Sequence, residues 1–130
     1  MRDKINDPVR LQLMREAITN IEEFISGTDN CDAFVSNKIL CHAVVYNLQC
    51  IGECSYKLSR EYVTAHPEID WYAIEGLRHV LVHDYYTVDM KTVWAILEKD
   101  LPVLKRYLEN AYSPYTPSTS GLSLPQRCAT

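Results

Sequence analysis

An all-α bundle of four or five helices is the fold this sequence predicts. Three observations carry that reading. Apolar residues recur at spacings of three and four along most of the chain. No stretch alternates apolar and polar residues over the length of a strand. Pro and Gly are sparse before residue 113. With 47% hydrophobic residues, the 130-residue chain can build one core without disulfide or metal staples.

Each element has its own signal. Leu11, Met14, Ile18, Ile21 and Ile25 form one stripe on a helix that starts near Pro8 and stops at Gly27. Cys31 to Val35 fits a short helical turn. A second long helix is expected from about Ser36 to Ala65, with Ile39, Leu40, Ala43, Val44, Leu48, Ile51 and Leu58 on its face. His66-Pro67 ends it, because a proline pushes the residue before it out of helical geometry. Asp70 is a candidate N-cap for a helix from Trp71 to about His83. Asp89 is another, for a last helix reaching Tyr112 with Val93, Leu97, Leu101, Leu104 and Leu108 as its stripe. Pro102 falls inside that helix and should kink or restart it, with Asp100 as a local cap. Residues 113–130 differ from the rest: 11 of these 18 are Ser, Thr, Pro or Gly, and Arg127 is the only charge. The expected domain is therefore 1–112, followed by a disordered tail at 113–130.

Composition narrows the function classes. The uncharged stretch from Ile39 to Gly52 carries His42, Asn47 and Gln49 and falls well short of the roughly 20 apolar residues of a membrane span. The N-terminus MRDKINDPVR has no apolar core of the kind a secretory signal needs. Five cysteines without framework spacing point to reduced thiols and a cytoplasmic setting. A net charge of −4 argues against a protein that coats nucleic acid, and no DNA partner is expected. It leaves room for a local site in which an arginine and a histidine act on one phosphodiester.

The densest reactive cluster is Arg78-His79-Val80-Leu81-Val82-His83-Asp84-Tyr85-Tyr86. Three readings compete for it. His79 and His83, four apart, would share a helix face as zinc ligands do, but no third ligand with matching spacing exists, so no metal is expected. In the plain structural reading His79 is exposed and His83 caps a helix C-terminus against the dipole. The third reading is RNA cleavage without metal. That reaction needs a base for the 2′-hydroxyl proton, an acid for the departing 5′-oxygen and a fixed cation for the phosphorane. Histidine titrates near neutrality and arginine grips phosphate oxygens in pairs, so both suit it. On an unbroken helix Arg78 and His83 lie about 140° apart and would not face one phosphate. Either the helix breaks before His83, or a second copy completes the site across a two-fold axis.

Further residues extend the pattern: Ile51-Gly52-Glu53, Leu58-Ser59, His66-Pro67-Glu68-Ile69-Asp70-Trp71, Gly76-Leu77-Arg78, Leu81-Val82-His83-Asp84-Tyr85, Val88-Asp89, Val93-Trp94 and Asp100-Leu101-Pro102-Val103-Leu104-Lys105. In this order they closely resemble the HepT-like family of HEPN-domain proteins, over about residues 10 to 110. The core of the resemblance is Arg-x4-His-x-Tyr, here Arg78, His83 and Tyr85. The resemblance implies an all-α two-fold homodimer with a composite cleft. It also implies a metal-independent endoribonuclease toxin, needing no cofactor, beside a minimal nucleotidyltransferase antitoxin that transfers AMP to the motif tyrosine. Carried over by position, Arg78 and His83 are catalytic and Tyr85 is the AMP acceptor. His79 stands where the family often has Asn, which leaves its role open, and it is a candidate for support. Glu53 is another, as an acid on an apolar helix that needs an arginine partner such as Arg78. The alternative from a different class is a non-catalytic helical subunit that binds a nucleotide or a nucleotidyltransferase. Cys50, Cys54, Trp71 and Trp94 read as packing residues, and His42 and His66 belong to no constellation.

Overall fold

The computed structural model describes residues 6–78 and 89–112, and every regular element among them is helical. In order these are α1 (Asp7–Phe24), α2 (Cys31–Val35), α3 (Lys38–Tyr56), α4 (Arg60–Ala65), α5 (Trp71–Glu75) and α6 (Met90–Ala95). A π-helical turn (Ile96–Asp100) then leads directly into α7 (Leu101–Tyr112). Side-chain caps decide where the first six start. Asn6, Asn30, Asn37, Ser59, Asp70 and Asp89 each accept a hydrogen bond from a backbone N–H in the first turn that has no intrahelical partner.

The core forms where α1 lies along α3. Asp7 meets Ser59 at one end and Asn20 meets Asn47 at the other, so the two helices run antiparallel. Met14, Ile18 and Ile21 of α1 are fully buried together with Val44, Leu48 and Ile51 of α3. Helix α7 packs on α1, α5 on α3, and α2 against both α3 and α6. Asn47 is buried but satisfied: its amide donates to the Ala43 carbonyl (2.9 Å) and its oxygen accepts from Asn20 (3.1 Å). All five residues of the last predicted stripe are buried, as are Trp71 and Trp94.

The structure corrects three expectations. The long helix from Ser36 to Ala65 is two helices. Between them Ser59 turns away from α3 to cap α4, while its N–H and hydroxyl both donate to the Asp7 carboxylate at 2.9 and 2.6 Å. Leu58 stays buried through the break. Ile39 is 84% exposed, because the buried row runs through Leu40, Val44, Leu48 and Ile51, and a neighbour in sequence lies about 100° around the axis. The last predicted helix is interrupted just before Pro102 by the π turn, as a kink or restart there would require, but Asp100 ends that turn instead of capping a new helix. A proline has no N–H for the carbonyl four residues back and crowds it, and a wider π turn just before it relieves both demands. The expected tail at 113–130 lies outside the described residues.

Candidate active site around Arg78

Gly52 sets the distance between the two helices that build this site. A Cβ there would come within 2.8 Å of the Arg78 backbone nitrogen, 3.1 Å of the Ile74 carbonyl oxygen and 3.2 Å of the Leu77 Cβ. Only a residue without a side chain lets the end of α5 and residues 77 and 78 lie so close to α3. The backbone of Arg78 is thereby fixed against α3, and its side chain reaches toward the C-terminal turn of that helix.

There the guanidinium lies over the Tyr56 ring, with Cζ 3.6 Å from the ring centroid. One guanidinium nitrogen is 4.0 Å from a Glu53 carboxylate oxygen, at the outer limit of an ion pair. Glu53 also pairs with Lys57 at 3.5 Å and is about half exposed. Such an exposed pair contributes about 0–1 kcal/mol. The cation–π contact with Tyr56 adds about 0.5–1 kcal/mol. Arg78 Nε is buried and has no hydrogen-bond partner among the described residues. The cation is therefore held beside Tyr56 with its Nε unpaired among the described residues.

Arg78 forms one wall of an open cleft of about 350 Å³, shared with Tyr56, Tyr72, Ala73, Glu75 and Gly76. A larger cavity, about 500 Å³, lies between α3, α5, the π turn and α7. Its walls are Leu, Ile, Ala and Val with Glu68, Asp70 and Asp100, and no cation, so it offers nothing to a phosphate. Among the described residues no three His, Cys, Asp or Glu side chains converge as a metal site would require.

The other motif residues, His79, His83 and Tyr85, lie in segment 79–88, outside the described residues. Of the remaining candidates, Cys54 is buried, and burial raises its thiol pKa although Arg10 partly opposes the shift. Cys41 is raised by burial as well, which keeps both thiols protonated and inert. His66 stacks on Tyr62, with ring centroids 4.1 Å apart, and Tyr62 shares a short O–H···O contact with Tyr107. Neither Tyr56 nor Tyr72 was singled out by sequence reasoning. Both are exposed, so neither carries the apolar periodicity by which a sequence marks a residue.

An antiparallel helical pair, with a fixed arginine where a third helix meets it, is an all-α bundle of the HEPN type. The chain belongs to the HepT-like ribonuclease family, whose model, described as "Ribonuclease HepT-like", matches residues 14–111. It is similar to "Probable ribonuclease HepT" of Thermococcus cleftensis, 35% identical over 100 residues, covering 76% of this chain and 89% of that one. It is also similar to "Putative RNase MJ1380" of Methanocaldococcus jannaschii, 31% identical over 94 residues, covering 72% of this chain and 85% of the other. No solved structure matches the chain. No helix among the described residues is long and apolar enough to cross a membrane.

Proposed function

We propose that this chain is a metal-independent endoribonuclease, the toxin of a toxin–antitoxin pair, working in the cytoplasm as a two-fold homodimer. The observation that carries this reading is Arg78: a guanidinium over the Tyr56 ring beside an open cleft, with a buried Nε that has no partner among the described residues. Family membership supports it. In the reaction the RNA 2′-oxygen attacks the adjacent phosphorus as a base takes its proton. The O2′–P bond forms, the P–O5′ bond breaks, and the leaving 5′-oxygen takes a proton. The products are a 2′,3′-cyclic phosphate and a 5′-hydroxyl. His83 is the proton-transfer group, and Arg78 neutralises the charge that builds on the phosphorane. Two copies across the dimer axis supply the two proton-transfer groups that the reaction needs. His79 and Glu53 serve as support, Glu53 by restraining the guanidinium until a phosphate displaces it.

A minimal nucleotidyltransferase is the antitoxin in this reading. It joins the Tyr85 oxygen to the α-phosphorus of ATP with release of pyrophosphate, and the attached AMP then occupies the cation that RNA needs. The test is incubation of the purified chain with tRNA and mRNA in excess EDTA. Cleavage should persist with chelator and fall by about 10² to 10⁴ in His83→Ala, the range of general acid–base assistance, with a comparable loss in Arg78→Ala. Full activity in both variants, or abolition by EDTA, would contradict the reading. Co-expression with the nucleotidyltransferase should add the mass of AMP at Tyr85, and an adduct confined to Tyr86 would reassign the acceptor.

A further inference from the structure

We propose that the cleft beside Arg78 is a nucleobase subsite, in which Tyr56 and Tyr72 stack an unpaired base of the RNA while Arg78 holds the neighbouring phosphate. The inference rests on the reading of Arg78 as the phosphate-binding cation and adds what the substrate must present next to that phosphate.

Two large aromatic faces stand in water at this cleft. Tyr72 on α5 is 82% exposed, and Tyr56 at the last turn of α3 is 52% exposed. Among the described residues the Tyr72 side chain has no ring contact and no hydrogen bond. The guanidinium of Arg78 lies over the Tyr56 ring, and about half of that residue's surface is exposed. Single-stranded RNA is read by this kind of surface, through bases splayed out and stacked on aromatic rings and guanidinium planes. A base stacked on Tyr56 opposite the guanidinium would extend a base–tyrosine–arginine stack. Its phosphate would then lie within one nucleotide's reach of the same guanidinium.

The other walls fit this orientation. Ala73 and Gly76 leave the floor low, and the volume of about 350 Å³ is at the small end of ligand pockets. Glu75 also lines the cleft. Its carboxylate repels a phosphate lodged there but accepts hydrogen bonds from the N–H-bearing edge of a base. Phosphate at Arg78 and base inside the cleft is thus the arrangement that the charges favour. Because a base in a duplex cannot leave its stack without cost, the subsite selects unpaired nucleotides at the cleavage position.

The test uses the full chain and a short fluorescent single-stranded oligoribonucleotide with 2′-O-methyl riboses, which removes the attacking hydroxyl and separates binding from cleavage. Tyr72→Ala should weaken binding by about 5- to 150-fold, the span of base–aromatic stacking. Tyr72→Phe keeps the ring and should bind within about twofold of the parent chain, because stacking needs only the π-face. An abasic nucleotide walked along the strand should weaken the parent chain at one position and leave Tyr72→Ala unchanged at that position. On cleavable RNA, Tyr72→Ala should raise KM more than it lowers kcat. Binding and cleavage unaffected by Tyr72→Ala would overturn the subsite and leave the ribonuclease reading intact. Ring-dependent binding without any cleavage would support the subsite and remove the ribonuclease reading. Absence of RNA binding by the parent chain would overturn both. A change of oligomeric state in Tyr72→Ala with RNA binding unaltered would show that a second copy of the chain covers the tyrosines, and would also overturn the proposal.

Discussion

Arg78 is placed by its neighbours more than by its own helix. Gly52 lets its backbone lie against α3, the Tyr56 ring lies under its guanidinium, and a Glu53 carboxylate oxygen is 4.0 Å away. The first contact gives the sharpest prediction. Gly52→Ala puts a methyl group 2.8 Å from the Arg78 backbone nitrogen, which is backbone and cannot swing aside. It should cost about 1–3 kcal/mol, as overpacking does, and should lower RNA cleavage even where the protein remains fully folded. Thermal melting and cleavage assays on the same preparation check both parts, and unchanged values in both would show that the two helices do not meet as described. The chemistry of this site was partly legible in the chain. An arginine and an acid are recognisable by type, and the spacing that singles out Arg78 needs no structure. Tyr56 was not legible in that way, because an exposed tyrosine in a last helical turn has no periodic signature. It acquires a role only when residue 78 is brought against it.

At the level of elements, helix faces were easier to read than helix ends. The stripes on α1 and on the last helix follow directly from spacing, and most of their residues are buried. The break between α3 and α4 was hidden because apolar spacing continues through it to Leu58. What ends α3 is a distant carboxylate, Asp7, taking two hydrogen bonds from Ser59. Asp7 also lies in the first turn of α1, where a negative charge meets the positive end of the helix dipole. Asp7→Ala should therefore destabilise the fold by about 1.5–3 kcal/mol, as loss of hydrogen bonds to a charged group does. Denaturant unfolding would measure it, and a loss below a few tenths of a kcal/mol would mean that the junction is held by Leu58 alone.

The tyrosine pair at the junction of α4 with α7 should make the fold sensitive to alkaline pH. Burial, and the hydrogen bond with Tyr62, push the Tyr107 hydroxyl far above its ordinary value of 10.0. Tyr62 is raised too, chiefly by burial. The unfolded chain therefore loses these protons at lower pH than the folded one. Stability from this contact is complete below pH 10.0 and is lost as pH rises above it. The melting temperature of the parent chain should fall more steeply above that pH than that of Tyr107→Phe. Parallel curves would show that the tyrosine pair does not govern the alkaline limb.

For the whole molecule, the bundle is a scaffold that brings one cation to the rim of a small cleft. The cleft is formed by α3 and α5, and the antiparallel packing of α1 on α3 keeps α3 in place. The fold class was legible because every helix in the core carries its own apolar stripe. The site as a whole was less so, since a linear motif does not tell which surfaces flank its arginine. The central claim is that this scaffold performs transesterification at phosphorus with side chains alone, Arg78 supplying the fixed charge. The most direct measurement is the chemistry of the ends produced from a defined RNA in excess EDTA, beside the same RNA carrying a single 2′-deoxyribose at the cleaved position. The account predicts a 2′,3′-cyclic phosphate and a 5′-hydroxyl, and no cleavage at the 2′-deoxy position. A 5′-phosphate with a 3′-hydroxyl, continued cleavage at the deoxyribose, or loss of all products on chelation would contradict it.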